Sequence, residues 1–112
     1  MRDEVKKFLY DVHSSCNNIN DFIKGKRFED FNSNLLLISA VERQFEIIGE
    51  ALSQAEKIYP DLKNGITDLR KIINFRNILI HGYAVISHDI LWGIIENDLQ
   101  KLISDVSALL DS

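Results

Sequence analysis

Apolar residues recur every three or four positions along almost the whole chain, and no stretch alternates as a strand would. From about Asp3 to Lys24 the residues Val5, Phe8, Leu9, Val12, Cys16, Ile19, Phe22 and Ile23 share one stripe, and Gly25 ends the segment. Phe28 to Phe31 is long enough for one short extra turn of helix, after which Asn32, Ser33 or Asn34 can cap the next element. A second long helix is predicted from about Asn34 to Tyr59, because the residue ahead of Pro60 is pushed out of the helical region. Pro60 to Gly65 reads as a loop. Thr67 is the predicted cap of a third helix that starts at Asp68 and ends near His81, with Gly82 suited to a left-handed cap. Ser87 is the predicted cap of a last helix that continues to about Leu110. The expected architecture is an all-α, antiparallel bundle of four main helices in a single domain, residues 1–112.

The second helix carries more apolar surface than one neighbour usually covers. Leu37, Ile38, Val41, Phe45, Ile48, Leu52, Ala55 and Tyr59 form one seam, and Leu36, Ala40, Ile47, Ala51 and Ile58 a second beside it. Two seams predict burial on two sides: one inside the bundle, the other in a homodimer. The opposite face is polar, with Ser39, Arg43, Glu46, Glu50, Ser53 and Lys57.

Composition narrows the class. At 112 residues and 46% apolar content the chain is one globular domain. A net charge of -4 argues against a non-specific nucleic-acid coat or a polybasic membrane anchor, without excluding a local basic pocket. The single Cys16 rules out an internal disulfide and a four-ligand thiolate metal site, and is most simply a small core residue. No signal region or membrane-length apolar run is seen, so the default location is the cytoplasm.

The candidate chemistry sits in the third helix, where Arg76-Asn77-Ile78-Leu79-Ile80-His81-Gly82-Tyr83 brings a cation, an imidazole and a phenol into a greasy segment. Arg70, Asn74, Asn77 and His81 share a polar wedge, while Leu69, Ile72, Ile73, Phe75, Ile78, Leu79 and Ile80 supply the apolar faces. Arg76 falls outside the wedge, about 140° from His81 on an ideal helix. The two can converge only if the helix loosens between Leu79 and Gly82, or if the second group comes from another subunit. A buried arginine needs a partner, and Glu46 and Glu50 of the second helix are the expected neutralisers. His81 stands at a helix C-terminus, where the dipole favours the imidazolium. Such a pair can grip a phosphate and move a proton beside it, the least that cutting RNA without a metal requires. It can also be a structural pair that closes a helix end. Glu46 and Glu50 read more simply as a solvated or Arg43-paired face than as metal ligands; His88 reads as a surface residue, and Trp92 and Tyr59 as packing.

The helical layout, the Arg76-x4-His81-x-Tyr83 motif, the run Arg43-Gln44-Phe45-Glu46-Ile47-Ile48-Gly49-Glu50-Ala51, and Trp92 with Glu96 to Leu99 together resemble the HEPN superfamily. More narrowly they resemble the HepT-like ribonuclease toxins of HepT/MntA-type toxin–antitoxin pairs. That resemblance implies a metal-independent endoribonuclease without cofactor, with Arg76 and His81 as catalytic residues in a cleft at a homodimer interface. Asn77 would be the usual polar residue after the arginine. The implied partners are an RNA substrate and a minimal nucleotidyltransferase antitoxin, which would transfer AMP to Tyr83. Gly82 departs from the pattern, since many relatives carry an acidic residue there. The alternative is a catalytically silent nucleotide- or partner-binding subunit of such a nucleotidyltransferase.

Overall fold

The computed structural model describes residues 1–81 and 86–112. Among the described residues there are six α-helices and no strand: α1 (Asp3–Ile23), α2 (Phe28–Asn32), α3 (Leu35–Ile58), α4 (Leu69–His81), α5 (His88–Asn97) and α6 (Leu99–Leu110). The predicted all-helical fold is therefore what the chain adopts. The short second helix is present, and Asn34 is the residue that caps α3, its side chain accepting from the Leu37 amide at 3.0 Å. Gly25 ends α1 with a φ of +75°, a backbone conformation that other residues adopt only under strain.

The molecule is a slab of 42 × 31 × 18 Å. Since one helix with its side chains is about 10–12 Å across, that is two helical layers. α3 is the axis of the slab, with α1 and α4 packed along it, and α6 packed on α1. The core stripe of α1 (Val5, Leu9, Val12, Cys16, Ile19) meets the first seam of α3 (Ile38, Val41, Phe45, Ile48, Leu52, Ala55), all buried. Burial pushes the Cys16 thiol up to about 12, so it packs as a neutral, apolar group.

Three boundaries differ from the pattern-based expectation. Pro60–Asn64 is a 3-10 turn rather than a loop, because Pro60 starts it with a fixed φ and fully buried Leu62 anchors it. The last helix breaks at Asp98, a poor helix former whose carboxylate instead holds Lys71 of α4 at 3.1 Å. Thr67 does not cap α4. The helix starts at Leu69 after Asp68, which takes a φ of +59°, while the Thr67 amide donates to Asp105 of α6 at 2.9 Å. Tyr59, expected to pack, is 37% exposed where α3 ends.

The second seam of α3 is covered unevenly. Ala51 is buried and Ile47 half-buried, beside Phe8 of α1. Leu36 is 82% exposed and its neighbour Leu35 75%. A single chain thus covers the middle of this seam and leaves its amino end bare. No helix among the described residues is long and apolar enough to cross a membrane.

Asp105 ties the turn before α4 to α6. Burial works to raise its carboxyl, but Thr67 and the Lys101 ammonium at 3.0 Å outweigh it and hold it below the ordinary value. A carboxylate held down in the folded state stabilises above its unfolded pKa, and that contribution fades as pH falls through the folded value. Asp105→Asn should therefore be less stable than the parent at pH 7, with the gap closing as pH falls from about 5 toward 3. Denaturant midpoints across that range test this; a gap independent of pH would assign the loss to packing.

Candidate active site

The site forms where α4 crosses α3. The helices run antiparallel: Arg70 pairs with Glu56 at 2.7 Å, and six residues further along each helix Arg76 pairs with Glu50. Before Glu50 on α3, Phe45 meets Phe75 of α4 edge to face at 5.5 Å. Gly49 makes the approach possible. A Cβ there would lie 2.1 Å from Arg76 Cβ and 2.6 Å from Cγ, so no other residue leaves the arginine stem its place. The stem lies against bare α3 backbone while the head reaches out to Glu50, leaving the side chain 22% exposed. That reconciles a cation with its apolar surroundings.

The guanidinium is held from two sides. Nη2 donates to Glu50 Oε2, and Nη1 donates to Asn77 Oδ1 at 2.7 Å. The other Glu50 oxygen, Oε1, accepts from Gln54 Nε2 at 3.0 Å. Of the two expected neutralisers only Glu50 takes the role. Glu46 is turned toward Arg43 at 3.2 Å, because the i,i+3 spacing on α3 gives it a nearer cation. Arg70 is bound to Glu56 and so stands apart from Arg76.

His81 is the last residue of α4 and is exposed. α4 is unbroken from Leu69 to His81, so the loosening that would turn His81 toward Arg76 within one chain does not occur up to that residue. Gly82 and Tyr83 lie outside the described residues, and with them the predicted left-handed cap and the modification acceptor. The polar wedge is as expected: Arg70, Asn74 and His81 are exposed, and Asn77 is half-buried. The apolar set is not. Leu69, Ile72, Ile73 and Phe75 are buried, but Ile78 and Ile80 are 48% and 47% exposed. They lie about 200° apart on the helix, so both cannot turn to the one face that a two-layer slab buries.

Nearby, His88 is not the free surface residue its position suggested. Its Nδ1 is 2.7 Å from Asn32 Oδ1 and its ring stands edge-on to Phe31, fastening α5 to α2. Trp92 packs on Phe28 and Phe31 as expected. Burial, helped by the charge of Glu46 and opposed by His88, raises the Glu42 carboxyl.

A family model described as ribonuclease HepT-like matches residues 12–109. The chain belongs to the HepT-like ribonuclease family. A protein of Methanocaldococcus jannaschii provisionally named an RNase is 35% identical over 105 residues, covering 92% of this chain and 94% of that one. A protein of Thermococcus cleftensis, provisionally named ribonuclease HepT, is 31% identical over 104 residues, with 91% and 92% covered. A further M. jannaschii protein, whose name joins gamma-glutamylcyclotransferase to a provisional RNase, is 29% identical; the match spans 99% of this chain and 50% of that protein. No solved structure matches. Within this HepT-like chain, the sequence pattern had pointed to Glu46 or Glu50 as the partner of Arg76 and had left Asn77 in the separate polar wedge, whereas its Oδ1 accepts from Arg76. It had missed Gln54, although its i,i+4 spacing from Glu50 was there to read, and it had given Gly49 no steric role.

Gly49→Ala should force α4 away from α3 and cost roughly 1–3 kcal/mol. Urea unfolding measures the loss, and a midpoint equal to the parent's would show that the crossing can relax without Gly49.

Proposed function

We propose that this HepT-like protein is an endoribonuclease that cleaves RNA without a metal, using Arg76 and His81 drawn from two copies of the chain. The observation that carries this reading is the Arg76 guanidinium, oriented by Glu50 and Asn77 on the helix that ends at His81. RNA brings its own nucleophile. The 2′-hydroxyl attacks the adjacent phosphorus, its proton goes to a base, and the 5′-oxygen leaves with a proton from an acid. Arg76 suits the charge that builds on the phosphoryl oxygens, since a planar fork matches them, and His81 suits proton transfer.

Two features support a shared cleft. On one unbroken helix Arg76 and His81 leave in different directions, separated by about 140° and about 7.5 Å of rise. A two-fold partner supplies the complementary group. Bare apolar side chains at Leu36, Ile78 and Ile80 offer surface for that partner. Higher assembly with a nucleotidyltransferase extends the proposal: that partner would transfer AMP from ATP to the Tyr83 hydroxyl, releasing pyrophosphate. The adenylate would place negative charge and bulk where the substrate phosphate must sit, silencing the cleft.

In EDTA the wild-type protein should cleave RNA, and His81→Ala should lose at least about 100-fold in rate with an unchanged circular-dichroism spectrum. EDTA-sensitive cleavage, or an active His81→Ala, refutes the mechanism. Mixing inactive Arg76→Ala with inactive His81→Ala should restore part of the activity through heterodimers, whereas a site within one chain predicts none. Incubation with a nucleotidyltransferase partner and ATP should add AMP mass to the wild type but not to Tyr83→Phe; equal labelling of both moves the acceptor elsewhere.

A further inference from the structure

Arg76 has five N–H donors, and among the described residues two of them are engaged, one with Glu50 and one with Asn77. The other three have no partner among the described residues. Where they point depends on Glu50, whose side chain is 47% exposed and extends from the solvent edge of α3. A glutamate so placed has rotamers that would carry it away from Arg76, or swing the guanidinium with it. One contact opposes both. Gln54, one turn further along α3, donates from Nε2 to Glu50 Oε1 at 3.0 Å and leaves Oε2 to the arginine. The order is Gln54 to Glu50 to Arg76 to Asn77: the outer two residues orient, and the inner pair carries opposite charges.

From this chain of contacts we infer that Gln54 is a positioning residue. By pinning one oxygen of Glu50 it fixes the plane of the Arg76 guanidinium, and so aims the remaining donors at the phosphate. Gln54 itself touches no reacting atom. The inference rests on the reading of Arg76 as the group that grips phosphate. Its geometric half, that Gln54 immobilises Arg76, stands independently of that reading.

The donor character of Gln54 is what matters, so the test keeps its shape and changes its hydrogen bonding. Gln54→Glu is nearly isosteric but, ionised, can only accept, and it repels Glu50 at i,i+4. Gln54→Lys donates again, with a favourable Glu-to-Lys order along the helix. Two readouts separate the two halves. In nitrogen-15 NMR, with the signal assigned through Arg76→Lys, hindered rotation of the Arg76 guanidinium should be seen in the wild type, lost in Gln54→Glu and regained in Gln54→Lys. In RNA cleavage under EDTA, Gln54→Glu should lower kcat roughly tenfold to a hundredfold with KM little changed, and Gln54→Lys should recover most of it. Thermal unfolding of the variants should match the parent, since an exposed polar pair on one helix contributes little to stability. Equal guanidinium rotation in wild type and Gln54→Glu overturns the inference. So does changed rotation with kcat unaltered, because positioning would then have no consequence. A wild type that cuts no RNA sinks the nuclease reading instead, and the NMR comparison alone then decides whether Gln54 holds Arg76.

Discussion

The close approach of α3 and α4 at Gly49 is the constraint on which the site depends. A helix surface normally keeps its neighbour 8–10 Å away, axis to axis, because side chains stand between them. Here one residue has none, and the stem of Arg76 occupies the space. The arginine is thereby carried across α3 instead of beside it, and its head emerges next to Glu50, the residue immediately after the glycine. Glycine and glutamate act as a unit: the first admits the cation and the second receives it.

On the proposed reading, this arrangement is how a chain with net charge -4 presents a site for an anion. The described cations of this region are already matched: Arg70 with Glu56, Arg43 with Glu46, Arg76 with Glu50. Exposed pairs of this kind contribute little to stability, commonly 0–1 kcal/mol. On the proposed reading Glu50 stays on Arg76 and keeps it oriented while the other donors of the guanidinium meet the phosphate. The Arg76 pair differs from the other two in having its stem fixed by packing and its carboxylate fixed by Gln54.

Much of this was legible along the chain, for local reasons. Stripes at helical spacing identified the core faces of α1 and α3, because one turn of helix maps sequence directly onto a surface. The Asn34 cap and the Gly25 stop follow from the same short-range chemistry. The errors arose where a residue's partner lies far off in sequence. Thr67 looked like a cap until Asp105, 38 residues away, claimed its amide. Asp98 looked like mid-helix until Lys71 drew its carboxylate aside. His88 looked solvent-facing until Asn32 and Phe31 met it from α2. Glu46 and Glu50 were both expected on Arg76; Arg43, three residues before Glu46 on α3, holds Glu46, and the position of α4 gives Arg76 to Glu50.

What the sequence determined by itself was the helical character of the chain, the identity of its buried stripes and the type of chemistry its third main helix can carry. Periodicity and residue type are properties of a few neighbouring positions, and neighbours are all that a linear string displays. The tertiary structure decided which carboxylate holds Arg76, that Gln54 holds that carboxylate, and which apolar side chains stay in solvent. Those outcomes depend on how two helices approach and cross. That crossing was set by the absence of one methyl group at Gly49, a detail whose meaning appears only when Arg76 is brought against it.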